Sequence, residues 1–229
     1  MLGLTPEEWS VIALSLRVSL VAVAITLPLA YALAWLLAQP RLPGRLLLDA
    51  LVHLPLVLPP VVTGWLLLLV FGRQGVVGAW LEATLGITLV FQWTGAALAA
   101  AVMALPLMVR AMRLSIEAVD RRLVPAARTL GASPLRAFVT VTLPLSAPGI
   151  AGGAVLGFAR SLGEFGATIT FASNIAGETR TLPLAIYSGL QLPGGEALVT
   201  RLSLIAIALS IGALVVSELL VRRSTEHRE

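Results

Sequence analysis

Four long stretches of this sequence contain no Asp, Glu, Lys or Arg: Val18–Pro40, Ala50–Gly72, Ala83–Val109 and Ala137–Ala159. A fifth apolar stretch, Ala197–Val221, is interrupted only by Arg201 and Glu218. A helix that crosses a bilayer needs roughly 20 predominantly apolar residues. Each stretch can supply one. A transmembrane barrel would instead show alternating segments of about 10 residues, and no such pattern is present. The expected fold class is therefore an all-α polytopic membrane protein, a single domain over residues 1–229. It has about five transmembrane helices, near 11–38, 50–71, 92–112, 147–171 and 202–221. An apolar content of 58% and a mean hydropathy of +0.93 agree with this, since soluble domains are usually about half apolar.

The charges set the orientation. All 16 basic residues are arginine. Eleven fall on one side of the expected spans: Arg41, Arg45, Arg110, Arg113, Arg121, Arg122, Arg128, Arg136, Arg222, Arg223 and Arg228. Three, Arg73, Arg180 and Arg201, fall on the other. Basic residues accumulate on the cytoplasmic side. The N-terminus is thus expected outside and the C-terminus inside, with a cytoplasmic loop near 113–146 and an external loop near 172–201. The net charge of +4 reads as topology and contact with anionic lipid. Nucleic-acid binding is disfavoured because no aromatic residues are interleaved with the arginines.

Two absences narrow the chemistry. Without lysine the chain has no G-x-x-x-x-G-K-[ST] phosphate loop. Without cysteine it has neither disulfides nor thiolate metal sites. No metal or cofactor site is expected in this chain. Its first residues, "MLGLTPEEW", lack the basic start of a signal peptide. They read as a helix start, with Thr5 and Glu8 as a capping box and Pro6 at the first position. The chain ends soon after its last span, so no appended regulatory domain is expected.

Between two apolar runs lies "TLGASPLRAFVTVTLP", Thr129–Pro144. Residues Ala126 and Ala127 open a short helix that Gly131 ends in a left-handed conformation. Ser133 suits an N-cap and Pro134 the first turn of a second helix. Leu135, Phe138, Val139 and Thr142 fall on one side of it, and Pro144, after Leu143, stops or kinks it. Such a helix–turn–helix has apolar knobs and too little core to fold alone, so it is expected to dock on a partner. The segment resembles the "EAA" loop of ABC importer permeases, through Ala126, Ala127, Gly131, Val141, Leu143 and Pro144. Pro125 stands where that pattern has glutamate, and Val141 where it has isoleucine. The resemblance implies a MetI-like permease bundle whose loop couples to a separate ATP-hydrolysing subunit carrying ATP-Mg. It also implies a homodimer of the permease and a periplasmic binding protein.

A second stretch, "GFARSLGEFGATITF" (Gly157–Phe171), places Arg160 and Glu164 four residues apart. A charge at membrane depth costs about 2.5–3.5 kcal/mol on insertion scales and persists where it pairs or lines a watery path. Two readings stand: a structural ion pair, or a gate element offering positive potential to an anion. Just before it, Gly149, Gly153 and Gly157 make a small-residue face for close helix approach, within the chain or across a dimer. The phrase "RSLGEFGATITF", with His53–Leu69, Ala99–Asp120 and Arg128–Ile150, resembles bacterial molybdate permeases over nearly the whole chain. Tungstate, sulfate and thiosulfate permeases share parts of it. The implied function is oxyanion import across the inner membrane, driven by a partner's ATP hydrolysis, with no bond broken in this chain.

Other classes fit less well. An intramembrane aspartyl enzyme needs two embedded aspartates, whereas Asp49 and Asp120 fall in loops. An ion-coupled carrier would show inverted repeats, and none is found. His53 lacks companion ligands for a metal. The prolines Pro55, Pro59 and Pro60 are expected to kink the second span. Asn174, Glu178, Thr179 and Arg180 are candidates for contact with the binding protein.

Overall fold

The computed structural model describes residues 3–226, and among them every regular element is helical. The first helix, α1 (Pro6–Leu37), begins with the expected capping box. The Glu8 N–H donates to the Thr5 hydroxyl at 3.2 Å, and the Thr5 N–H donates to the Glu8 carboxylate at 2.7 Å. Two orphan donors of the first turn are thereby satisfied. The same carboxylate, 1% exposed, pairs with Arg201 of the last helix α12 (Glu196–Glu226) at 2.7 Å. Arg201 therefore belongs to a helix rather than to the loop near 172–201.

The central post is α5 (Trp93–Glu117). Its Ala96, Ala97, Ala99, Ala100 and Ala104 are buried. Small side chains let neighbouring backbones approach closely, and α1 and α9 (Ala147–Leu162) both lie along this helix. The glycine row faces it too. A Cβ added to Gly153 would lie 3.1 Å from the Met112 methyl, one on Gly157 2.7 Å from Met108 Cγ, and one on Gly149 would collide with Ser115. The glycine face is thus filled within the chain.

Among the described residues, three helices are long and apolar enough to cross a membrane: α1, α5 and Glu196–Val216 of α12. Two bent pairs, Arg45–Val57 with Pro60–Phe71 and Pro134–Leu145 with Ala147–Leu162, bring the total to five when each pair is counted as one span. The bends correct the expected spans. Residues 50–71 are not one helix but α2 (Arg45–Val57) and α3 (Pro60–Phe71), which meet at 116°. A residue before proline is driven toward extended backbone. Here Leu58 and Pro59 take ψ of 143° and 134°, each preceding a proline. Residues 147–171 are also divided. α9 stops at Leu162, residues 163–165 break the axis, and α10 (Gly166–Phe171) starts afresh.

Two helices flank these spans. α4 (Val76–Leu85) was not foreseen, because its apolar residues merge into the following uncharged run. α11 (Leu182–Leu190) begins at Leu182-Pro183. It buries Leu182 and Ala185 in a cluster with Val11, Ile12, Leu162 and Leu202. Its first N–H, from Leu182, donates to Ser15 Oγ at 2.7 Å. At the arginine-rich end, α6 (Leu123–Thr129), α7 (Pro134–Ala137), a π-helical turn (Phe138–Thr142) and α8 (Leu143–Leu145) lead into α9.

Candidate functional site

The turn between α6 and α7 follows from its residues. Gly131 takes φ +87°. The Ala132 N–H then reaches the Ala127 carbonyl at 3.0 Å, and the Gly131 N–H reaches that of Arg128 at 3.1 Å. This pair of bonds is the Schellman closure of a helix end. Two residues on, Ser133 Oγ accepts the Arg136 N–H at 3.2 Å, and Pro134 occupies the first helical position. The unit presents its apolar residues outward, with Leu130 88% and Leu135 72% exposed. Ala126 and Pro144 are also exposed, while Ala127 and Leu143 are half-buried.

One expected feature of this unit is corrected. Phe138 does not share the outer face with Leu135 and Val139. Its ring packs edge-on against Trp35 at 5.9 Å and tilted against Tyr31 at 6.0 Å, both on α1. Thr142 turns inward beside it and is buried. The π turn is the physical reason. It advances fewer degrees per residue than an α-helix, so positions that share one face of an ideal helix are divided between two. The turn also brings the chain to Pro144, which lacks an N–H to continue the ladder. Phe138 is thus the anchor of the unit, and Leu130, Leu135 and Val139 are its free surface.

The unit meets the bundle at a hinge. The axis through α7 and α8 bends by 61° into α9, and Ser146 sits at the bend, fully buried. Its hydroxyl shares a hydrogen bond with Tyr31 Oη at 2.8 Å, and its carbonyl accepts from Ser115 Oγ at 3.4 Å. A cavity of about 380 Å³ opens under the unit, between Trp35, Ile116, Asp120, Arg121, Arg128 and Phe138.

At the far end of α9 the charged pair is formed. Arg160 Nη1 lies 2.6 Å from Glu164 Oε2, with the two side chains 25% and 2% exposed. They do not lie on one helix, because the axis ends at Leu162. Arg160 occupies the last turn of α9, where a cation is favoured, and Glu164 precedes the first turn of α10, where an anion is favoured. Its second oxygen accepts the Ala167 N–H at 2.8 Å. The usual disadvantage of base before acid in a helix therefore does not apply. The break is wedged against the break in the second span. A Cβ on Gly166 would lie 2.7 Å from Pro60 Cβ, and one on Gly64 2.7 Å from the Ala167 carbonyl oxygen.

These features, a helical bundle with broken spans and an outward-facing helix–turn–helix, match a known family along the chain. Residues 12–226 match the binding-protein-dependent transport system inner membrane component family. The chain belongs to this family. It is a multi-pass inner-membrane transport component and not an enzyme. The molybdenum transport system permease protein ModB of Escherichia coli K12 is 58% identical over 223 residues, 97% of both chains. The sulfate transport system permease protein CysT of the same strain is 42% identical over 159 residues, 69% of this chain and 57% of that one. Among solved structures, a bacterial ABC transporter that imports the acidic polysaccharide alginate shares the fold. Its TM-score is 0.71 at 19% identity, over 97% of this chain and 80% of that one.

In this inner membrane component, other residues singled out in the sequence make contacts within the chain. Thr179 is wholly buried; its hydroxyl accepts the Ile175 N–H at 2.8 Å and donates to the Ser173 carbonyl at 3.2 Å. Asn174 bridges Arg180 at 3.0 Å and Ser188 at 2.7 Å, and Glu178 accepts the Trp93 N–H at 3.4 Å. His53 bonds through Nδ1 to the Asp49 carbonyl at 2.9 Å. Two clusters escaped sequence reasoning. Arg17 stacks 3.7 Å from the centroid of a Trp93 ring. The available signal was an arginine directly before an uncharged run and a tryptophan at the start of a span. Arg113 joins Asp49 and Glu117, each at 2.9 Å, and Arg45 reaches Glu117 at 3.4 Å. The four-residue spacing of Arg113 and Glu117 was its visible part.

Proposed function

We propose that this chain is the membrane-spanning permease subunit of an ATP-driven importer, and that its cargo is an oxyanion, molybdate. The observation that carries the reading is the 58% identity to a molybdenum permease across 97% of both chains. The outward-facing unit of α6 and α7 supports it. Exposed Leu130 and Leu135, held on a rigid turn and anchored by Phe138, form a handle suited to the groove of a separate ATPase. On this reading two copies of the chain enclose the pathway and two ATPase subunits carry ATP-Mg. A periplasmic protein delivers the anion. The handle then faces the cytoplasm, with the N-terminus outside and the C-terminus inside. Residues near 113–146 form the coupling loop and those near 172–201 the external loop.

Arg160 and Glu164 are assigned to the pathway in this scheme. A guanidinium that keeps partial exposure while tethered to a buried carboxylate attracts a passing anion without trapping it. ATP and cargo can bias the inward- and outward-open forms only by their differential affinities for them.

The test is uptake of radiolabelled molybdate by vesicles holding the permease with its ATPase and binding protein. Uptake that needs ATP and is competed by unlabelled molybdate supports the reading. Uptake without the ATPase removes the importer, and competition by sulfate but not molybdate reassigns the cargo. Orientation is tested separately. The chain has no cysteine, so single cysteines at Leu130 and Ile175 report the side each faces. Labelling of Leu130→Cys from outside intact cells overturns the topology.

A further inference from the structure

We infer that a notch between α2 and α5 binds the headgroup phosphate of an anionic phospholipid in the leaflet at the arginine-rich end. The notch has a volume of about 290 Å³ and is lined by Asp49, His53, Arg110, Arg113, Leu114 and Glu117. Its charges are unevenly matched. Arg113 is taken by both carboxylates, Asp49 and Glu117, at 2.9 Å each. Arg45 adds a second cation to Glu117 at 3.4 Å. Arg110 is exposed, lines the same notch, and has no ion-pair partner among the described residues. Three guanidiniums thus stand against two carboxylates, leaving the cluster with surplus positive charge. His53 engages Asp49 through Nδ1, which leaves Nε2 as a further polar group at the notch.

Position identifies the ligand as a lipid. Arg110 follows Trp93 by 17 residues along α5, a rise of about 26 Å at 1.5 Å per residue. That is close to the thickness of a hydrocarbon core, about 30 Å, so Arg110 stands at the membrane edge. The wall beside it is apolar and open. Leu114, which lines the notch, is 61% exposed, and on α2 Leu47 is 66%, Leu51 57% and Leu54 42% exposed. A phosphate on Arg110 with acyl chains running toward the bilayer centre along Leu51 and Leu54 satisfies both surfaces at once, while Leu47 and Leu114 stand at headgroup level. Basic pockets between spanning helices serve anionic headgroups in this manner. A lipid seated there clamps α2 to α5 beside the ion pairs that already join them.

The experiment compares the purified chain in nanodiscs of phosphatidylcholine alone and with phosphatidylglycerol. It is paired with native mass spectrometry of retained lipid. Phosphatidylglycerol is expected to be retained preferentially and to raise the unfolding temperature. Arg110→Gln is expected to weaken its retention roughly tenfold, while Arg41→Gln, a charge removed at the same end but outside the notch, leaves it unchanged. Equal retention of both lipids by the unsubstituted protein overturns the inference without recourse to any variant. An equal loss in Arg41→Gln shows diffuse surface charge and overturns it too. If inorganic phosphate in lipid-free detergent gives the same stabilisation, the notch is an ion site and the lipid assignment fails. None of these readouts needs the ATPase, so they stand apart from the transport assay.

Discussion

Replacing Gly131 separates backbone conformation from side-chain size at the proposed handle. The residue holds φ +87°, and a Cβ built on it would meet nothing within 4 Å. The Cβ of a substituted residue meets no neighbour there, so for alanine the cost is conformational. An L-residue in the left-handed region loses roughly 1–2 kcal/mol, and β-branched residues fare worse there. Asparagine tolerates the conformation. The series Asn, Ala, Val should therefore show rising cost, with Ala lowering the equilibrium constant for closing the Schellman turn by a factor of about 5–30, as 1–2 kcal/mol implies. The unit lies outside the clusters around α5, so the unfolding temperature of the bundle should move little across the series. The assay is affinity for the ATPase in detergent together with ATP-driven uptake. Both should fall in the order Asn, Ala, Val at unchanged bundle stability. Loss in Gly131→Asn equal to that in Gly131→Val would mean that the space, not the turn, matters. An unimpaired Gly131→Val would refute the role of the turn altogether.

Other perturbations distinguish the remaining elements. Arg160→Ala leaves the Glu164 carboxylate buried and unpaired, and should destabilise the protein by about 3–5 kcal/mol in thermal or denaturant unfolding. Adding Glu164→Gln, whose amide oxygen can still accept the Ala167 N–H, should recover most of that stability but not uptake if the charge serves the pathway. Gly149→Ala should cost about 1–3 kcal/mol by overpacking against Ser115. Ser115→Gly should rescue it, whereas Gly153→Ala should be milder because the flexible Met112 can yield; unfolding of the three variants checks this. Phe138→Ala should loosen the handle by removing two aromatic contacts, each worth about 0.5–1.5 kcal/mol beyond area, and should raise its protease sensitivity. Leu135→Ala should leave that sensitivity unchanged and weaken ATPase binding.

Local chemistry was the legible part of the sequence. The Thr5–Glu8 box, the Gly131 turn and the Ser133 cap each depend on side chains within a few residues of one another, so reading neighbours sufficed. Apolar run length found the spans because lipid selects for it. The same signal hid their breaks. Hydropathy runs uninterrupted through Leu58-Pro59, and the charges Arg160 and Glu164 mark polarity near Gly163–Phe165 without marking a helix end, although the backbone bends or restarts at both. Whether prolines kink a helix or split it by 116° depends on what receives the bend, here the glycines of α3 and α10. The inward turn of Phe138 was likewise invisible, because it follows from a π turn and from two aromatic rings on α1, over 100 residues away. The ion-pair cluster on α2 and α5 was missed because its members lie in two separate segments.

The two ends of α9 differ in what holds them, and this locates the motion that the proposed function requires. At the Ser146 bend the bonds to neighbouring helices include a hydroxyl contact to Tyr31 and a long bond from Ser115, and the Ser146 hydroxyl also reaches the Leu143 carbonyl at 3.2 Å. Net contributions of such neutral bonds are about 0.5–1.5 kcal/mol each. At the Gly163 break, Glu164 ties Arg160 to the first turn of α10 through a nearly buried ion pair and a backbone bond, and α10 is wedged onto α3 by Gly64 and Gly166. A motion there that left Glu164 buried without a cation would cost about 3–5 kcal/mol. Between the two ends, Gly153 and Gly157 rest on methionine side chains of α5 that can adjust, and Gly149 abuts Ser115. A push on the handle should therefore open the angle at Ser146 while α9, α10 and α3 move as one body. Spin-label distances across Ser146 should change between nucleotide states of the assembled complex, and those across Gly163 should not. A change confined to Gly163 would show that the stronger junction is the one that yields, and the energetic ordering argued from these contacts would be wrong.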